Sequence, residues 1–145
     1  MDTLAEVLGD PVRRRAVVKD AALLVESEVR GKRGMRGMAL KGGYKSMKRI
    51  KPGIVEEALD MLLPQFAPAV DPYFARGREA GSVESYFMSH ADEIADALLG
   101  VTDRRAARAN NRVMKKVYDG LRGQAKVHVV DAIPGLSRLV SKHVR

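Results

Sequence analysis

Nine cations stand between Arg30 and Lys51 with no acidic residue among them: Arg30, Lys32, Arg33, Arg36, Lys41, Lys45, Lys48, Arg49 and Lys51. Guanidinium and ammonium groups at this density attract anions, phosphate and carboxylate above all. Five glycines (Gly31, Gly34, Gly37, Gly42 and Gly43) are threaded through the same tract. Three physical outcomes are open to it. It repels itself into disorder, it meets an anionic partner, or acidic residues of its own fold neutralise it.

The glycine spacing invites comparison with phosphate loops, but Gly31-x-x-Gly34-x-x-Gly37 is not G-x-G-x-x-G, and no G-x-x-x-x-G-K-[ST] occurs. The tract also follows a helical pattern, whereas those loops follow a strand. A looser possibility stays open: Gly34 or Gly37 at a helix N-terminus, where free N–H groups attract anions, with Arg33 and Arg36 as phosphate partners. A second basic group, Arg104, Arg108, Arg112 and Lys115, recurs at i, i+4, i+8 and i+11 and forms one stripe if its segment is a single helix. Such a stripe is either a solvated face or a surface for a phosphate backbone. The candidate polyanion-binding residues are therefore Arg33, Arg36, Lys41, Lys45, Lys48, Arg104, Arg108, Arg112 and Lys115.

Other chemistry finds little support. His90 with Glu93, and Glu56 with Asp60, are the closest approaches to metal-ligand spacing. Helical carboxylate sites use E-x-x-H on two helices, and the order here is reversed and single. Three histidines give no local Ser/His/Asp arrangement, and the absence of cysteine excludes thiolate ligands, disulfides and a thiol nucleophile. Three Phe, four Tyr and no Trp disfavour a base-stacking platform. No cofactor or metal is implied.

The elements that must carry these residues read as helices. Thr3–Leu8 forms a short helix ended by Gly9. Asp10-Pro11 opens a second, with Val17, Val18, Ala21, Ala22, Leu24, Val25 and Val29 on one arc and Gly31 as a stop. On a wheel, Met35–Ile50 gathers Met35, Met38, Ala39, Gly42, Gly43, Ser46, Met47 and Ile50 on one apolar or small face. Lys41, Lys45, Lys48 and Arg49 lie opposite, which predicts a mostly buried helix with a lysine edge. After Lys51-Pro52-Gly53, a run of Ile54, Val55, Ala58, Leu59, Leu62 and Leu63 is interrupted by Pro64 and Pro68, with a new start at Asp71-Pro72. Ser82 caps a helix through Val83, Phe87, His90, Ile94 and Leu98 to Gly100. Thr102-Asp103 opens another with Ala106, Ala107, Val113, Met114, Val117, Tyr118 and Leu121 inside and Gly123 at its end. A last segment restarts at Pro134-Gly135 and carries Leu136, Leu139, Val140 and Val144. Val127–Val130 is the one strand-like patch and is too short for a sheet. The expectation is an all-α, compact single-domain bundle of seven or eight helices over residues 1–145.

Composition supports this. The chain has 145 residues, 46% apolar and 30% charged, and a net charge of +8. That balance is globular and basic, suited to polyanions rather than to disorder. Charge is segregated, at −7 over residues 54–100 and +8 over residues 101–145, so an acidic middle is available to answer the tract. The acidic N-terminus has no signal-peptide pattern and no apolar run reaches the length of a membrane span, which points to the cytoplasm.

The run Gly34-Met-Arg-Gly-Met-Ala-Leu-Lys-Gly-Gly-Tyr-Lys-Ser-Met-Lys-Arg-Ile-Lys-Pro-Gly53, with Leu62-Leu-Pro-Gln-Phe-Ala-Pro-Ala-Val-Asp-Pro-Tyr73 and His90-Ala-Asp-Glu-Ile-Ala-Asp-Ala-Leu-Leu99, resembles an uncharacterised bacterial family of small helical proteins. The resemblance covers most of the chain, implies no activity and transfers no functional residue. The reading from the residues is a non-enzymatic interaction or regulatory module whose basic surfaces meet an acidic protein or nucleic acid. The alternative is a small-ligand protein or enzyme with a pocket lined by the small face around Gly42 and Gly43 in helix 35–50.

Overall fold

The computed structural model describes residues 2–145, apart from the side chains of Met114 and Val117. Seven helices and no strand occur among the described residues: α1 (Leu4–Leu8), α2 (Pro11–Gly31), α3 (Gly34–Ile50), α4 (Ile54–Glu79), α5 (Val83–Ser89), α6 (Ala91–Ala107) and α7 (Arg112–His143). The all-α expectation holds, and the strand-like patch at 127–130 lies inside α7.

Local punctuation sets the first helices. The Glu6 amide donates to Thr3 Oγ1 at 3.1 Å, and the Thr3 hydroxyl donates to Glu6 Oε1 at 3.0 Å. Asp10 accepts from the Val12 amide at 3.0 Å and sets Pro11 at the first helical position. A five-residue helix is too short to persist alone. Asp71, expected to begin a helix, instead lies inside α4 and accepts the amides of Leu4 at 2.7 Å and Ala5 at 3.2 Å. Its carboxylate thus caps α1 from a distance of 67 residues in sequence. Asp71→Ala is expected to cost about 1–2 kcal/mol, as loss of a helix cap does. Hydrogen exchange at Leu4 and Ala5 should rise before global unfolding, and unchanged exchange there would contradict the assignment.

α4 corrects the expected breaks at its prolines. Pro64, Pro68 and Pro72 all lie within one continuous helix. They recur every four residues, so the missing N–H groups fall on one side, away from the buried Leu63, Ala67, Val70 and Phe74. The carbonyl that Pro64 leaves without a donor belongs to Asp60. Arg14 fills it, Nη2 to Asp60 O at 2.6 Å, while Arg14 Nε meets Asp60 Oδ1 at 2.7 Å.

The next boundaries are also displaced. Ser82 caps α5 as expected, accepting from the Ser85 amide at 3.2 Å. The chain then breaks at His90 (φ −118°, ψ 24°), where a single helix was expected, and α6 passes through Gly100 and Thr102-Asp103 without stopping. Thr102 does not cap a helix; its hydroxyl turns back to Leu99 O at 2.9 Å. α7 in turn continues through Gly123 and Pro134, both expected as boundaries. A Cβ on Gly135 would collide with Leu24, so this glycine permits the close crossing of α2 and α7.

One core joins these elements. Leu4 and Val7 of α1, Val17 of α2, Ala67, Val70 and Phe74 of α4, Phe87 of α5, Ile94 of α6, and Ile133 and Val140 of α7 are fully or almost fully buried in one cluster. The N-terminal part of α7 extends beyond it. Val113 and Leu121, expected inside, are 69% and 55% exposed. Ala107 is exposed too, and only Ala106 and Tyr118 of that expected face are half-buried. The side chains of Met114 and Val117 lie outside the described residues.

Candidate anion-binding surface

The basic tract begins at the C-terminus of α2, turns at Lys32 and Arg33, and continues as α3. Gly34, at φ +76°, is the first residue of α3, and the N-cap Arg33 makes no side-chain capping bond. The helix N-terminus expected near Gly34 is therefore present. Gly37 sits where a Cβ would come 2.7 Å from the Lys32 carbonyl carbon, so this turn tolerates only a glycine without moving backbone.

That close approach fixes the rotation of α3 and overturns its expected burial. Gly37 is its one buried residue, and Leu40, Lys41 and Tyr44 are half-buried on the same side. The side expected inside faces out instead: Met35 is 89% exposed, Met38 73%, Ile50 84% and Met47 47%. Gly42 and Gly43 have open space where a Cβ would be. The physical reason lies in apolar payload. Leu40 and Tyr44 bring more surface to α2 than glycines and an exposed methionine row, and they lie on one line with Gly37. Clefts beside α3 are lined by Tyr44 and Lys48 facing α2, with Lys41 and Lys45 in one of them, not by Gly42 or Gly43. Neither of these clefts is the pocket expected around those two glycines.

Ion pairing settles how far the tract is neutralised internally. Arg30 meets Glu26 at 3.5 Å, Lys32 meets Asp131 at 2.8 Å and Glu28 at 3.7 Å, and Lys51 meets Glu57 at 2.9 Å. Arg33, Arg36, Lys41, Lys45, Lys48 and Arg49 make no ion pair among the described residues. Lys48 borders a cleft that also contains Glu56, Glu57 and Asp60, and its Nζ stands 5.2 Å from the Tyr44 ring centroid. Three carboxylates of the acidic middle are engaged elsewhere: Asp60 with Arg14, Glu84 with Arg138, and Asp96 with Lys126 and Arg122.

The N-terminal end of α3 borders an open cleft of about 690 Å³. Arg33, Arg36 and Lys32 line it together with Ser27, Asp131 and His128. His128 Nδ1 is buried without a protein partner, a polar atom that composition alone could not single out.

The second basic group does not form the expected stripe. Arg104 lies in the last turn of α6, Arg108 is its C-cap, and Arg112 and Lys115 open α7. The turn between the helices breaks the i, i+4, i+8 register, so the four cations cluster about a hairpin rather than along one face. None makes an ion pair among the described residues. The hairpin is tied below them by Asp103, which accepts Arg122 Nε and Nη2, each at 3.1 Å, and the Tyr118 hydroxyl. The Arg122 guanidinium first, and the Tyr118 hydroxyl next, hold the Asp103 carboxyl below its ordinary value.

Among the described residues no three His, Asp or Glu side chains gather as a metal site, and no helix is long and apolar enough to cross a membrane. His90 stacks on Tyr86, with centroids 4.1 Å apart, and its Nδ1 lies 2.9 Å from Tyr86 O.

The model of a family of unknown function, DUF6918, matches residues 4–144. The chain belongs to that family. The DUF6918 match spans all seven helices, from the first residue of α1 to one residue beyond α7. No curated protein and no solved structure matches the chain significantly.

Proposed function

We propose that this DUF6918 protein is a non-enzymatic helical interaction module that presents the cations of α3 to an anionic partner in the bacterial cytoplasm. One observation carries the reading. Six of the nine tract cations, all on α3 or its N-cap, have no ion pair among the described residues, while of the nearby carboxylates Asp60 is held by Arg14 of α2 and Glu57 by Lys51. An acidic protein and nucleic acid both supply the complementary charge. The absence of cysteine is in keeping with a reducing compartment.

The test is the salt dependence of binding to a mixed-sequence DNA duplex and to polyglutamate. Each phosphate neutralised releases counterions, so log affinity for the duplex should fall with log salt by about 0.9 per contact. Replacing Arg36, Lys45 and Arg49 with glutamine should reduce that slope by up to about 2.7. Stability should stay within about 0.5 kcal/mol, since all three are surface positions. Binding indifferent to salt, or retention at low salt by neither polymer and by no anionic vesicle, would end the reading.

A further inference from the structure

The unusual property of α3 is that its exposed pole is apolar. An exposed helix ordinarily turns its charged face to water and its apolar face to the core. At 100° per residue, Met38, Gly42, Met35, Ser46, Ala39 and Ile50 fill the outward arc, and the half-buried line of Gly37, Leu40 and Tyr44 lies opposite. Lys45 borders the outward arc on one side and Arg36 on the other, with Arg49 inside its margin. All three cations are exposed, and no acidic residue lies anywhere in the helix. The target must therefore be apolar at its centre and anionic at its borders.

We infer that α3 docks on an anionic lipid surface, lying in the plane of the interface. Met35, Met38 and Ile50 would enter the boundary between headgroups and acyl chains, and Arg36, Lys45 and Arg49 would meet the lipid phosphates. This rests on the anionic-partner reading and narrows it. Basic amphipathic helices bind membranes by adding buried apolar area to attraction for anionic headgroups. Nucleic acid answers the cations but leaves the methionine and isoleucine side chains in water. A second copy would cover the apolar arc, and Ala39, Gly42, Gly43 and Ser46 are small enough for close helix approach. It would also set two helices without a single carboxylate against each other. Like charge at that range opposes the contact. The bilayer satisfies both requirements, and no helix needs to span it.

The experiment is co-sedimentation of the full chain with vesicles of equimolar phosphatidylglycerol and phosphatidylcholine, against vesicles of phosphatidylcholine alone. Two triple variants accompany it: Met35→Ser/Met38→Ser/Ile50→Ser and Arg36→Gln/Lys45→Gln/Arg49→Gln. All six positions are exposed, and circular dichroism and thermal unfolding verify that each variant is folded. The unaltered chain should sediment with the anionic vesicles and not with the neutral ones. The charge variant should lose on the order of 100-fold in partitioning, and the apolar variant on the order of 10-fold or more.

Absence of sedimentation with anionic vesicles, while duplex or polyglutamate binding persists, overturns the lipid inference and leaves the anionic-partner reading standing. So does an apolar variant that binds vesicles as the unaltered chain does. Failure to bind vesicles, duplex and polyglutamate alike removes both. Concentration-dependent dimerisation in sedimentation velocity, abolished by the apolar variant alone, would assign the face to a second copy and overturn the inference.

Discussion

Phe87→Ala is expected to lower the unfolding free energy by about 3–5 kcal/mol, the range for removing a large buried aromatic. Phe87 is fully buried and heads the largest such side chains of the core. It is also the one buried residue of α5, a helix of seven residues. So short a helix has no stability of its own and is held by what it packs against, here α4 and α7. The approach of α5 to α4 is set by Gly77, where a Cβ would lie 3.0 Å from Val83 Cα. With the chain pinned there, α5 has little room to sink into the space that Phe87 leaves. The cavity term should therefore add to the transfer term. Against a total stability of about 5–15 kcal/mol for a domain, this is a large fraction. Urea unfolding followed by circular dichroism measures it. A loss below about 1 kcal/mol would show that α5 re-seats freely and that Gly77 does not hold it.

Several boundaries were legible because their causes are local. Thr3, Asp10 and Ser82 accept amides two or three residues onward, and residue order alone records such bonds. The misread boundaries share a different cause. Pro64 frees a carbonyl within the helix, and the donor that fills it, Arg14, lies 46 residues away in sequence. Thr102-Asp103 has the look of a cap, but Asp103 is engaged by Tyr118 and Arg122 across the hairpin. Gly100 and Gly123 weaken helices without ending them once packing holds the flanking turns. In each case tertiary structure outweighed a local preference, about 1 kcal/mol for a glycine and about 3 kcal/mol for a proline.

The site was legible in its charges and not in its orientation. The wheel divided α3 into two faces, but it scored glycines and methionines as core while leaving out Leu40 and Tyr44. Which face is covered depends on the turn at Lys32–Gly37, where backbone meets backbone. Segregated charge along the chain likewise made internal neutralisation of the tract plausible. Of the carboxylates of residues 54–100 that form ion pairs, Asp60, Glu84 and Asp96 pair with α2 and α7 and Glu57 alone with the tract, and sequence has no term for that competition. The partner of His143 is likewise distant in sequence, Asp20, 123 residues earlier.

That partner leads to the second large effect. Asp20→Ala is expected to cost about 1.5–3 kcal/mol at neutral pH, the range for a hydrogen bond to a charged group. Asp20 Oδ2 lies 2.7 Å from His143 Nε2 and 2.8 Å from Lys142 Nζ, joining α2 to the end of α7. The His143 side chain is only 10% exposed, so removing the carboxylate leaves its imidazole nitrogen without a partner in a poorly hydrated place. Lys142, 67% exposed, recovers its hydration and contributes less to the loss. Hydrogen bonds from Lys142 first, then from His143, hold the Asp20 carboxyl below its ordinary value of 3.8, outweighing the opposing effect of burial. A depressed folded value means that the unfolded chain binds the proton more tightly. The stabilisation is therefore complete above pH 3.8 and is withdrawn as pH falls through the lower folded value. Urea unfolding of both proteins along a descending pH series should show a gap that is widest near neutrality and closes below pH 3.8. A gap that stays constant into acid would mean that Asp20 acts through packing rather than charge, and no gap at neutral pH would remove it as a tie between α2 and α7.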